Sequence, residues 1–219
     1  MDIDQLLTST RSARKTLDLE APVDLDVVAE CLRIALHAAN GTNQQSWRWL
    51  VVADAGKRRE IASQYAASYE SMTGGRIAAS LDTDSDFGRL MASTEWLVDH
   101  LADVPVHVIP CYQPYIPRNE TNEQFATATL YGSVFPAVWN FQLALRSRGY
   151  GSCITTLHLN RAAEVGELLG IPETYFQGCL LPVARLRTVS LRPTPRKSLD
   201  DVTAVDGWHG PALQGSTDG

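Results

Sequence analysis

Residues 37–52 read H-A-A-N-G-T-N-Q-Q-S-W-R-W-L-V-V, and the parsing of this stretch decides the fold. Upstream of it, Leu25, Val28, Leu32, Ala35 and Leu36 recur at helical spacing, and Asp24 after Pro22 supplies the N-cap. Downstream, residues 47–53 form an apolar, β-prone run that reads as a buried strand. Between the two lie Asn40, Gly41, Thr42, Asn43, Gln44, Gln45 and Ser46, a polar loop dense in side-chain amides. Amides both donate and accept, which suits a flat heteroaromatic ring bearing N–H, C=O and N groups. Read alone, the same residues are a helix end and a turn. The rest of the chain has to decide between the two.

Working outward, residues 2–16 hold T-S-T-R-S-A-R-K-T, where Arg11, Ser12, Arg14 and Lys15 sit close enough to converge on one phosphate, or form a solvated basic turn. A helix is expected over 57–71 with Ile61, Tyr65 and Ser68 on one stripe. Residues 72–88, with Gly74-Gly75 and an acidic tract, read as a loop or lid. A helix over 89–101 precedes a buried strand over 104–111, entered at Pro105 and left at Pro110. A second variable loop holds Pro114, Pro117 and the polar run 118–124. The periodicity of Val134, Ala137, Val138, Phe141, Ala144 and Leu145 predicts a central helix over 132–148, with Pro136 in its first turn and Gly149 at its end. A turn and short strand (149–156), a helix capped by Asn160 and a strand over 177–186 complete the core. No repeat or biased linker divides the chain. Residues 1–210 read as one domain and 211–219, rich in Gly and Ser, as a disordered tail.

Composition narrows the function. The chain has 219 residues, ample for a buried core, and a net charge of −6 that argues against a general nucleic-acid or anionic-membrane binder. No apolar run approaches the ~20 residues that span a bilayer, and M-D-I-D-Q-L-L lacks the basic start of a secretory signal. Four cysteines (Cys31, Cys111, Cys153, Cys179) stand far apart in apolar contexts, as buried thiols of a reducing, cytoplasmic compartment do. No phosphate-loop, nucleophile-elbow or zinc-protease motif is found, the five histidines have no ligand spacing, and the alternating Asp82, Asp84 and Asp86 lack the other ligands of a calcium loop. No metal is expected.

Three stretches together resemble the nitroreductase family: R-S-A-R at 11–14, A-N-G-T-N-Q-Q-S-W at 39–47, and residues 133–156, a long helix running into G-Y-G-S. G-I-P at 170–172 and R-K-S-L at 196–199 follow in the family's order, so the resemblance covers roughly residues 7–208. It implies an α+β fold, a mostly antiparallel central sheet surrounded by helices, in a homodimer with FMN at the interface. Arg11, Ser12 and Arg14 would hold the phosphate and ribityl oxygens, with Arg196 closing from the C-terminal tail. Asn40, Gly41 and Asn43 would meet the flavin bound mainly by the other subunit. Ile154, Thr155 and Thr156 would run past the ring with backbone N–H groups facing it. Here Ala39 and Asn40 stand where the family has Pro and Ser, Ser46 where it has a second Pro, and residues 183–186 where it has G-Y-P. The Glu, Tyr and Lys lid of the flavin deiodinase branch is not found in 57–105.

The activity so implied is a ping-pong oxidoreductase in which NAD(P)H is the co-substrate and a nitroaromatic, quinone or activated alkene accepts the electrons. Residues 65–90 and 112–125 are expected to set the acceptor, with Tyr69, Tyr115 and Phe125 in the substrate pocket. Two other readings stay open: a flavin-binding or storage protein without turnover, and a flavin-dependent dehydrogenase that uses no external nicotinamide.

Overall fold

The computed structural model describes residues 2–82, 84–116, 119, 122–188 and 193–213. In chain order its elements are α1 (Ile3–Ser9), β1 (Leu17–Asp18), α2 (Leu25–Ala35), β2 (Trp47–Val52), α3 (Ala55–Thr73), α4 (Asp86–His100), β3 (Val106–Tyr112), α5 (Glu123–Ser147), β4 (Tyr150–Ser152), α6 (Ala162–Leu169), β5 (Phe176–Gln177) and β6 (Leu181–Leu186). Every pairing is antiparallel: β1, β6, β3 and β2 lie side by side, β4 pairs with β6, and β5 with β3. The expected α+β architecture is the one observed.

The central strand β3 is buried along its whole length because both faces of the sheet are covered. Its side chains alternate, as the two-residue period of a strand requires. Val106, Val108 and Tyr112 join α2 and α5 in one core, while Ile109 and Cys111 join α3, α4 and α6 in the other. Local chemistry sets the helix ends. Asp24, Asp54 and Ser85 cap α2, α3 and α4 through bonds to the backbone N–H groups of Asp26, Lys57 and Gly88, and Gly74 ends α3 in the left-handed conformation at φ 72°. All four cysteines are buried free thiols.

Several expectations need correction. The helix expected over 132–148 is the 25-residue α5, which starts at Glu123 and carries Pro136 in its interior. Burial of Ala126, Leu130, Ser133 and Val134 holds its N-terminal half in place, outweighing the one backbone bond that Pro136 removes. Asn160 caps no helix; its amide donates to Ser68 Oγ at 2.9 Å, and α6 begins after Arg161 without a side-chain cap. On α2 the buried residues are Val28, Cys31 and Ala35, while Leu25 and Leu36 are exposed. The strand expected over 177–186 is broken into β5 and β6. Between Val108 and Cys111 of β3, the facing chain runs from Leu181 back to Gln177, one residue longer, which makes a bulge at Gly178–Leu180. Pro110 lies inside β3 opposite this bulge, where the ladder is already interrupted. The expected disordered tail lies outside the described residues from 214 onward, as does much of the polar run 118–124.

The segment expected as a lid is fastened to α3 and α4. Glu95 Oε1 on α4 accepts from Tyr69 Oη at 2.7 Å, Ile77 N at 2.6 Å and Ala78 N at 2.9 Å. Partial burial pushes the Glu95 carboxyl up, but the Ala78, Tyr69 and Ile77 donors and the Arg76 charge together hold it below the usual range. Arg76 stacks over the Tyr69 ring and pairs with Asp99. Glu95→Ala is therefore expected to cost about 1–3 kcal/mol, the penalty of orphaning such donors. Hydrogen exchange should quicken first at the Ile77 and Ala78 amides, and unchanged protection there would show the anchor lies elsewhere.

Candidate functional site

The R-S-A-R segment leaves α1 in extended form and is stitched to β4 by Ala13 N donating to Ser152 C=O at 2.9 Å. This turns Ala13 into the core and leaves Arg11 and Ser12 exposed; among the described residues neither carries an ion pair or side-chain hydrogen bond. Arg14 goes inward. Its guanidinium lies close enough to Cys153 and Tyr65 to favour their ionised forms, against the burial that pushes Cys153 up to about 11 and Tyr65 up to about 12. Arg14 Nε is nevertheless buried without a hydrogen-bond partner. A guanidinium N–H left unmet beside a neutral thiol and phenol is a donor waiting for an acceptor from outside the chain.

Beyond Cys153 the chain passes Ile154, Thr155 and Thr156. Thr155 is committed inward at every polar atom: its N–H and C=O exchange bonds with Leu180 in the bulge at 3.0 and 2.8 Å, and its Oγ1 lies 2.6 Å from Tyr65 Oη of α3. The expectation that the Thr155 N–H faces a ring is corrected accordingly. Thr156 is exposed, and among the described residues no acceptor meets its N–H.

The amide loop is built differently. Gly41 N donates to Ser133 Oγ of α5 at 3.0 Å, and a Cβ at Gly41 would meet the Tyr115 hydroxyl, so a larger residue there would require the Tyr115 side chain to move. Asn40 Oδ1 accepts from Gln45 N at 3.0 Å and closes the loop; Ser46 Oγ donates to Gln113 C=O at 2.7 Å. Thr42, Asn43 and Gln45 all have positive φ, at 50°, 54° and 49°. Non-glycine residues held there cost about 1 kcal/mol or more each, and such strain gathers at ligand clamps. Thr42, Asn43, Gln44 and Gln45 are exposed, with the Thr42 hydroxyl donating to Gly41 C=O at 2.8 Å and Gln45 Nε2 to Asn43 Oδ1 at 3.1 Å.

Among the described residues no hydrogen bond joins the two groups within one chain. The amide loop rests on α5 at Ser133, and β4 rests on it at Gln142, whose Nε2 donates to Ser152 Oγ at 3.0 Å. Nine residues of helix separate these supports, a rise of about 13 Å. Arg196 is exposed and bonds only to Pro195 C=O; among the described residues nothing in 193–213 hydrogen-bonds to the rest of the chain. Of the three aromatics expected at a substrate pocket, Tyr69 lies on α3, 2 % exposed, with its hydroxyl held by Glu95. Phe125 is exposed on the first turn of α5, and Tyr115 leans on the amide loop. Tyr65 and Cys153 were not singled out as site residues from sequence. The helical stripe of Tyr65 was visible, but its meeting with Thr155, 90 residues on, is tertiary.

Larger concavities lie elsewhere, one of about 400 Å³ under Arg48, Leu50 and Tyr175 and one of about 590 Å³ between Tyr131, Leu159, Glu167 and Tyr175. Neither includes an orphaned buried cation. Arg14 lines neither of them.

The profile of the Nitroreductase family matches residues 7–185. None of the curated proteins matches the sequence significantly. Among solved structures, a BluB-like flavoprotein from Clostridium difficile 630 is similar with a TM-score of 0.70 at 20% identity, over 93% of this chain and 98% of that one. An iodotyrosine deiodinase bound to FMN and 3-iodo-L-tyrosine is similar with a TM-score of 0.69 at 20% identity, over 94% and 99%. NfnB from sphigopyxis sp. strain HMH, an FMN and NADPH-dependent nitroreductase, gives 0.67 at 18% identity, over 95% and 100%. At these identities the likeness is one of fold.

Proposed function

The chain belongs to the nitroreductase family, and from that premise we propose that it is an FMN-dependent oxidoreductase passing electrons from NAD(P)H to a nitroaromatic, quinone or activated-alkene acceptor. Arg14 carries this reading. Its Nε is buried without a partner, and among the described residues Arg11, Ser12 and Thr156, on the two segments beside it in the chain and at Cys153, are exposed with no partner for their side chains or, at Thr156, for its N–H. That donor set fits an anionic cofactor: a phosphomonoester carries close to two negative charges, and arginine meets them with a fork of N–H groups. Two of the similar proteins are described with FMN and one as NADPH-dependent.

Bound at this face, FMN would supply two-electron transfer between a nicotinamide donor and the acceptor. Arg11, Ser12 and Arg14 would hold the phosphate and ribityl oxygens, and Ile154 and Thr156 would run past the ring system. Asn40, Gly41 and Asn43 would serve the site of a second copy; among the described residues no hydrogen bond joins their loop to 11–14 or 153–156 within one chain. A homodimer is part of the reading. Phe125, Tyr131 and Trp139 of α5 and Leu25 and Ile34 of α2 leave large apolar side chains exposed for it. Arg196 would join the phosphate when the tail takes up its place in that dimer. Acceptor choice falls to Tyr115 and Phe125, which remain at the surface near the amide loop and the start of α5.

Purified protein is expected to be yellow and to release a cofactor with the mass of FMN. On anaerobic mixing with NADH or NADPH, the absorbance near ~450 nm should bleach. A protein that neither carries nor takes up FMN overturns the reading. A yellow protein that neither nicotinamide bleaches keeps the cofactor and removes the nicotinamide half.

A further inference from the structure

Thr155 is fixed from two directions. The bulge residue Leu180 holds its backbone on both sides, and Tyr65, reaching across from α3, holds its hydroxyl at 2.6 Å. Tyr65 is 1 % exposed, and burial keeps its phenol protonated up to about pH 12, so the bond persists across any working pH. The same phenol lies within electrostatic reach of the Arg14 guanidinium. The next peptide along, between Thr155 and Thr156, presents the N–H that has no acceptor in the chain. We propose that Tyr65 is a positioning residue of the FMN site, holding Thr155 so that the Thr156 N–H and the Arg14 guanidinium keep a fixed relation to the cofactor; the inference rests on the FMN reading above. Donors held in place before charge develops stabilise it more than donors that must reorganise. A phenylalanine would fill the same core space, so the hydroxyl is what the packing leaves unexplained. One turn further along α3, Tyr69 bonds Glu95 and through it the Ile77–Ala78 turn. The helix that fixes Thr155 is thus the helix to which the excursion 74–85 is fastened.

The experiment compares FMN-loaded variants by the midpoint potential of the bound cofactor, alongside FMN affinity and melting temperature. Tyr65→Phe is expected to lower the potential by about 30 mV, a tenfold change for a two-electron couple. Thr155→Val should reproduce that shift, Thr155→Ser should restore the wild-type potential, and the double variant Tyr65→Phe with Thr155→Val should go no further than either alone. Tyr112→Phe is the control, because it removes an equally buried hydroxyl that has no partner; its potential should match wild type. Wild-type potentials in both Tyr65→Phe and Thr155→Val, whatever their melting temperatures, would overturn the positioning role alone. Failure of the wild-type protein to bind FMN would overturn the cofactor reading and the inference with it. Should Tyr65→Phe not fold, the Thr155→Val and Thr155→Ser pair decides.

Discussion

Arg14→Ala is expected to weaken FMN binding by about 1–3 kcal/mol, roughly ten- to a hundredfold, while leaving the cofactor-free fold nearly as stable as before. The two halves of this expectation have one cause. In the free protein Arg14 Nε is buried with no hydrogen-bond partner, so removing the side chain relieves an unmet donor in the apo state at the loss of a weak contact with the Cys153 thiol, and deletes the charged contact only in the loaded one. Arg14→Lys should recover part of the affinity, since it keeps the charge and loses the planar fork. Arg196→Ala is a separate matter. That residue bonds only its own neighbour, so any loss it causes reports the tail's docking in a dimer. Fluorescence titration of apo-protein with FMN checks both, and wild-type affinity in Arg14→Ala would show that the anion sits elsewhere.

Acid is expected to undermine the fold between about pH 6.5 and pH 4 through two histidines. His107 and His158 are fully enclosed, and His158 has neither ring nitrogen bonded. Burial, with the charge of Arg58 felt at His107 and that of His107 at His158, brings both from the usual 6.5 down to about 4. Because the folded values are depressed, the unfolded chain binds protons first as pH falls through 6.5, and the folded chain resists until about 4. The difference stabilises the unfolded state throughout that window and grows no further below it. At about 1.4 kcal/mol per pH unit, each histidine accounts for roughly 3 kcal/mol by pH 4, a large share of a typical domain's 5–15 kcal/mol. Urea midpoints at a series of pH values should fall across the window. His158→Leu, which replaces a ring with no polar partner, should flatten about half of the decline. A midpoint that holds steady from pH 7 to pH 4.5 would contradict neutral burial of these rings.

What could be read from the residues, and what could not, divides along a physical line. β2 and β3 are runs of apolar residues bounded by turns, and α2 and α3 carry their own caps in Asp24 and Asp54, so local chemistry is enough to place them. The first half of α5 holds Thr127, Thr129 and Gly132, poor helix formers, and is helical because Ala126, Leu130 and Val134 are buried, the last two in the core shared with α2 and the sheet. Arg11, Ser12 and Arg14 were legible as a cationic motif, and the structure brings Arg14 against Cys153 and Tyr65. The bulge at Gly178–Leu180, which fixes Thr155, depends on register between distant strands and leaves no local mark beyond a glycine. Tyr69 shows the opposite failure: an aromatic near a flexible glycine pair suggested a surface, and a carboxylate on another helix drew it inside.

The closure of the amide loop also governs how this protein ages. Asn40–Gly41 is the one Asn–Gly pair in the sequence, the dipeptide in which the glycine nitrogen most readily attacks the asparagine side chain and expels ammonia. Here that nitrogen is occupied in donating to Ser133 Oγ, and the Asn40 carboxamide is turned to Gln45 N and Ala38 C=O. The attacking and attacked groups are held to different neighbours, so spontaneous conversion of Asn40 to aspartate or isoaspartate waits on the loop opening. The bond from Gly41 to Ser133 thus ties the chemical lifetime of the loop to the integrity of α5.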